Sequence, residues 1–167
     1  MKKIIVSLFL GLILVGCDGV GTILDDGDLF EQYRNSYVGD NTEVGNLANN
    51  LMASRSLKQF SLYTEEEPYG IILEYRNLEE EEKKETIITN ATFLFALIKN
   101  VDEITFQFSN EAYTINRERF ELWLREDLNA IETQKELENI IEEKLQSEYA
   151  VTQFFRLFCC SEQQTIN

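Results

Sequence analysis

The sequence predicts an α+β fold: a single domain with an antiparallel sheet of about four strands in two hairpins, packed against three or four helices. Two observations carry most of the prediction. Two pairs of segments alternate apolar and polar residues on either side of a short turn, the pattern of half-buried hairpins. Between and after them, apolar residues recur at i, i+3, i+4 and i+7, the stripe of an amphipathic helix. A third observation places the helix starts, because several of these stripes open on a capping residue.

Asp40-Asn41-Thr42-Glu43 has the form of a capping box, with Asp40 as N-cap and Glu43 at the third helical position. Behind it Val44, Leu47, Ala48 and Leu51 make one buried stripe, with Asn46, Asn49 and Asn50 on the other face. Phe60 to Tyr63 alternates, and Ile71, Leu73 and Tyr75 alternate again after Glu65-Glu66-Glu67-Pro68, so these segments read as the first hairpin. Glu79 to Glu82 reads as a solvated loop and first helical turn, where carboxylates favour the helix dipole. From about Lys84 to Lys99, Ile87, Ile88, Ala91, Leu94, Phe95 and Ile98 share one face. Phe93 and Leu97 make the second half apolar nearly all round, which marks a central, buried helix ended by Asn100.

Ile104, Phe106 and Phe108 then alternate with Thr105 and Gln107. Ser109-Asn110-Glu111 turns into a shorter strand from Ala112 to Ile115, which completes the second hairpin. Asn116 caps a helix whose stripe is Phe120, Trp123, Leu124 and Leu128. Thr133-Gln134-Lys135-Glu136 is a second capping box, opening a helix with Leu137, Ile140, Ile141 and Leu145 inward that runs to Tyr149 or beyond. The apolar stretch Phe154 to Cys160 either packs back on the domain or forms an exposed patch for a partner or a bilayer. One four-stranded sheet with helices on one face buries every stripe in two layers. Two separate hairpins bridged by the central helix are the competing arrangement.

The front of the chain has another character. Met1-Lys2-Lys3 is cationic, and Ile4 to Val15 is apolar except for Ser7 and Gly11. With Gly16 before Cys17 this is the form of a secretory signal. The run is shorter than the roughly 20 residues a helix needs to span a bilayer. Leu14-Val15-Gly16-Cys17 resembles the lipobox of bacterial lipoproteins. That resemblance implies a signal peptide over residues 1–16 and diacylglyceryl lipid, of the palmitate class, on Cys17. The expected location is the extracytoplasmic face of the cell membrane. Residues 17–29 are then a lipid-anchored linker rich in Asp and Gly. Asp25-Asp26-Gly27-Asp28 lacks the distal glutamate of a calcium loop and reads as part of that linker.

Removing residues 1–16 takes two lysines and no acid, which leaves 13 Lys+Arg against 30 Asp+Glu and a formal charge of −17. Such a balance argues against nucleic acid, whose binders cluster cations. Self-repulsion that favours solubility explains it, as would a basic partner or bound divalent cations. With no histidine in the chain, the commonest general base and every His-containing zinc site are absent. No cofactor, metal site or catalytic residue is singled out by these readings. Adjacent Cys159 and Cys160 close only a strained ring, so they read as buried or tail thiols, with a redox switch as the other reading. The bias toward Asn, Ile, Glu and Lys fits an AT-rich bacterial genome.

Three ordered motifs carry a family resemblance. Tyr37-Val38-Gly39-Asp40-Asn41 followed by Val44-Gly45-Asn46, then Pro68-Tyr69-Gly70, then Phe95 to Ile104, are similar to motifs of the bacterial domain of unknown function 4825 family. The resemblance spans residues 30–128 and leaves 129–167 as a C-terminal helix and apolar tail. It implies an envelope location, a sensing or accessory role and an envelope protein receptor as partner, and it implies no catalytic residue. Where the family pattern leads to expect a glycine before Asp127-Leu128, this chain has Arg125 and Glu126. The first motif has two readings. In one it is a turn, a cap and a packing notch, with Gly39 at positive φ. In the other Tyr37, Gly39, Asp40, Asn41 and Asn46 form a ligand rim.

The function expected from these readings is a non-enzymatic binding, sensory or accessory module of the cell envelope. The alternative is a cell-wall hydrolase with paired carboxylates, which needs two acids facing across a cleft and one of them in an apolar setting.

Overall fold

A computed structural model describes residues 28–158. Cys17, the signal segment, most of the linker, Cys159 and Cys160 lie outside the described residues. The alternating segments form strands β1 (Leu57–Tyr63), β2 (Gly70–Tyr75), β3 (Glu103–Gln107) and β4 (Ala112–Asn116). They make one sheet in the order β1-β2-β3-β4. Both hairpins are antiparallel, as predicted, but β2 and β3 pair in parallel, so the sheet is mixed. The reason is the connection. A helix returns the chain from the end of β2 to the level of its start, which sets Gly70 beside Glu103 and Ile71 beside Ile104.

Register then sorts the side chains into rows. Leu62, Ile71, Ile104 and Ile115 form one inner row, and Phe60, Leu73, Phe106 and Tyr113 the next. These rows meet the helices. The opposite face carries Ser61, Ile72, Thr105 and Thr114 in one row and Tyr63, Gly70, Glu103 and Asn116 in another.

Six helices complete the domain: α1 (Leu29–Tyr33), α2 (Asn41–Asn50), α3 (Glu80–Leu97), α4 (Arg117–Leu124), α5 (Gln134–Gln146) and α6 (Glu148–Phe158). Every residue of α3 from Thr86 to Phe95 is buried, because the sheet lies on one side and α5 with the turn at Leu128 on the other. Inside this helix Asn90 is a polar fastener. Its side chain accepts from the Met52 amide at 3.1 Å and donates to the Met52 carbonyl at 2.9 Å and the Tyr75 hydroxyl at 3.0 Å. Burial pushes the Tyr75 phenol up to about 12, with the Asn90 hydrogen bond opposing.

The caps behave largely as the sequence indicates. Asp40 accepts from the amides of Thr42 and Glu43, although its own amide bonds to the Tyr37 carbonyl rather than to Glu43. Thr133 accepts from the Glu136 amide, and Glu136 reaches back one residue further than expected, to Glu132. Three features differ from expectation. Leu29, at the end of the predicted linker, opens α1 and is buried, with Asp28 as its cap. The last predicted helix is two helices, because the Ser147 hydroxyl accepts from the Ala150 amide and starts α6 anew. The φ of Gly39 is not in the left-handed region: its turn closes with the Asp40 amide on the Tyr37 carbonyl, and the left-handed residue, Asn35 at φ 71°, belongs to the turn before it.

The apolar tail packs back. Phe154 and Phe158 are buried, and Phe154 sits 5.0 Å from Trp123 and 6.1 Å from Phe120, ring centre to ring centre. Phe155 meets Tyr113 of β4 edge-on at 5.6 Å, so α6 closes the inner layer against both α4 and the sheet.

Candidate functional site

The three sequence motifs converge on one stretch of backbone, Ile98 to Glu103. Just before the first motif, Ser36 pairs with Ile98 in a parallel bridge and its carbonyl accepts from the Lys99 amide at 2.9 Å; from the motif itself, the Val38 amide donates to the Asn100 side chain at 2.8 Å. From the second, the Tyr69 amide donates to the Asp102 carboxylate at 2.8 Å. The Tyr69 carbonyl accepts from the amides of Asp102 and Glu103. Behind the stretch stands Arg117, which sequence reasoning missed. Its guanidinium donates to the carbonyls of Val101 at 2.8 Å and Ile98 at 2.7 Å, pairs with Glu121 at 3.3 Å and lies 5.0 Å over the Phe95 ring. Burial pulls its pKa below the ordinary guanidinium value, while Glu121 and Asp102 oppose the shift. A cation on the carbonyls at the C-terminal end of α3 is also favoured by the helix dipole. Asn100, Asp102 and Arg117 are thus engaged within the chain, and the hub holds the fold.

The residues of the predicted rim occupy one turn and the start of α2. Tyr37 is 56% exposed, and the Lys99 ammonium lies 5.9 Å from its ring centre. Asp40 is spent on the cap, and Asn41 and Asn46 are exposed. A β-carbon at Gly39 would meet nothing within 4 Å, so the turn faces open space there. Gly45 has a packing reason: a β-carbon would stand 2.9 Å from the tip of the Phe60 ring, which marks the close approach of α2 to β1.

A second arrangement lies on the face of the sheet opposite the rows that meet the helices. The Tyr63 ring lies across Gly70, where a β-carbon would come within 2.1 Å of it. Glu103 is the next residue along the row. Burial first, then the Glu103 charge and hydrogen bond, then Asp102, all push the phenol above its ordinary range. One row away, the hydroxyls of Thr105 and Thr114 bond each other at 3.0 Å.

The hydrolase alternative needs two facing carboxyls, one of them raised above its ordinary range. A groove of about 400 Å³ beside α5 is lined in part by Glu126, Glu136 and Glu143, and all three are exposed. Among the described residues, two carboxyls are displaced from their ordinary range, and both are held below it. Glu74 is lowered first by its hydrogen bond from Lys58, and Glu111 by those from Lys83 and Tyr113. A general acid needs the opposite shift. Among the described residues, no three His, Cys, Asp or Glu side chains are grouped to hold a metal ion, and no helix is long and apolar enough to cross a membrane.

The family described as Domain of unknown function (DUF4825) matches residues 30–120. No curated protein and no solved structure matches the chain.

Proposed function

The chain belongs to the DUF4825 family, and from that premise we propose that it is an extracytoplasmic lipoprotein, anchored through Cys17, that serves the cell envelope as a non-enzymatic binding, sensory or accessory module. The observation that carries the reading is Cys17 at the end of the apolar run, after Gly16 and before the acidic linker. Two acyl chains there give stable attachment, at about 0.8 kcal/mol for each buried CH₂, whereas one chain is marginal. The geometry supports the non-enzymatic part: the polar groups of the motif hub are used to join α3 to the sheet, and the displaced carboxyls are held ionised.

Membrane fractionation tests the anchor. The full chain should pellet with membranes and Cys17→Ser should be released into the soluble or secreted fraction. A Cys17→Ser protein that stays wholly in the membrane pellet sinks the reading. Crosslinking in intact cells, with Cys17→Ser as control, then tests the binding role by capturing a specific integral-membrane partner with the lipidated form.

A further inference from the structure

We infer that the free edge of β1 pairs antiparallel with the same edge of a second copy of this chain, joining the two sheets across a two-fold axis at Ser61. This goes beyond the envelope reading and does not depend on it. Strand β1 ends the row of strands, and among the described residues β2 is its only strand neighbour. One side of its backbone therefore offers amides and carbonyls to another strand. The inner rows are also left open at this edge. Ile71, Leu73, Ile104, Phe106 and Ile115 are fully buried on the other strands, whereas Phe60 and Leu62 on β1 are only half-buried. The opposite edge differs. Tyr113 and Ile115 of β4 are buried, and the charges that flank that strand, Glu111 and Arg117, are engaged within the chain.

A lysine or a bulge commonly guards such an edge. Both are present here, but at one end only. The register shifts between Leu57 and Gln59, and Lys58 is paired with Glu74 of its own sheet. Gln59 to Tyr63 is left in regular register, without charge, proline or glycine. Antiparallel pairing centred on Ser61 sets Gln59 against Tyr63 and Phe60 against Leu62 on both sides of the axis. Phe60 and Leu62 share a face, so each covers its opposite number in the other copy. Charge selects the occupant and its direction. Three exposed cations, Arg55, Lys58 and Arg76, stand at the start of the edge, where the Arg76 amide donates to the Ser56 carbonyl at 2.8 Å. Three exposed carboxylates, Glu65, Glu66 and Glu67, stand at its end. Among the described residues neither these carboxylates nor Arg55 and Arg76 form an ion pair. Antiparallel self-pairing brings the cations of each copy to the carboxylates of the other at both ends, whereas parallel pairing sets like beside like. The net negative charge of two copies opposes their approach, but exposed charges more than ~8 Å apart are largely screened at physiological salt, and the paired ends are close.

The test is disulfide trapping of the full chain in intact cells, with Cys159→Ser and Cys160→Ser as the background and the dimer read on non-reducing gels. Directly opposed residues of antiparallel strands stand about 4.5–5.5 Å apart at Cα, within the span of a disulfide. On mild oxidation Ser61→Cys should therefore give at least about three times the dimer of the background chain. Thr114→Cys, in the same row on the opposite edge, should stay at background. Adding Arg55→Glu to Ser61→Cys should lower the trapped fraction at least about threefold. Adding Glu65→Lys, Glu66→Lys and Glu67→Lys to that chain should restore it, which separates lost pairing from lost folding. No excess dimer at residue 61, or equal trapping at residue 114, overturns the inference. So does a trapped fraction that Arg55→Glu leaves unchanged, or a loss that the three lysines do not restore. None of these outcomes bears on the anchor, which Cys17→Ser tests separately.

Discussion

Arg125 occupies a backbone position suited to glycine. It ends α4 at φ 63°, in the left-handed conformation that costs a residue with a β-carbon roughly 1 kcal/mol, and its amide closes the helix on the Glu121 carbonyl. This is the stretch where the family pattern suggested glycine. The departure was legible in the sequence, and its consequence became physical only with the dihedral angle. Arg125→Gly should raise unfolding stability by about 1 kcal/mol in urea titrations, with the slope unchanged. A loss of stability would mean that the Arg125 side chain makes up the backbone cost. Glu111 allows a pH prediction. Lys83 is mostly buried, and desolvation works to lower its pKa, but the hydrogen bonds it donates to Glu111 and Glu80 hold it above its ordinary value. The lowered carboxyl of Glu111 contributes stability that is present above its unfolded value of about 4.3 and is lost as pH falls through the folded value. At neutral pH Glu111→Gln should therefore be less stable than the wild type. The gap should close as pH is lowered toward 3, and a gap independent of pH would rule out the charge as its source.

At the scale of elements, α6 was the hardest to read and is among the most consequential. Its apolar residues were plain, but whether they faced the domain or the outside depended on what α4 and β4 left uncovered. The break at Ser147 was missed because the apolar stripe alone runs through it. Phe154→Ala should cost about 3–5 kcal/mol, since the ring is fully buried among Phe120, Trp123, Phe155 and Phe158. Trp123 is the sole tryptophan, so its emission should shift to the red as water reaches the gap. An unshifted spectrum with full stability would show that α6 does not hold this cluster. Helix α6 lies beyond the residues that match the family, so this chain closes its inner layer with a segment outside the matched region. In the candidate sites, the motif from Tyr37 to Asn46 was visible in the sequence, whereas Tyr63 and Glu103 were not, because only register brings them together. Gly70 inside a strand was the available signal, since glycine there often marks a close approach of something else.

For the whole molecule, alternation and helical stripes were enough to predict the α+β class, because they say which side of each element is buried. They do not say which strand lies beside which. The connection through α3 suited either separate hairpins or one sheet, and the parallel join emerged only from the packing of α3 across both. That join sets an order of assembly. Each hairpin pairs residues near in sequence, but β2 and β3 bring together partners 33 positions apart. The loop-closure entropy of that step is met before the sheet rewards it, so the crossing should form more slowly than either hairpin. Leu73→Ala, in the inner row that spans the join, should slow refolding in stopped-flow experiments. Phe154→Ala should chiefly speed unfolding. If Leu73→Ala leaves the refolding limb unmoved, the hairpins meet after the barrier. If it slows refolding, the chain commits to its fold where β2 and β3 first align, and the C-terminal helix settles onto a sheet already made.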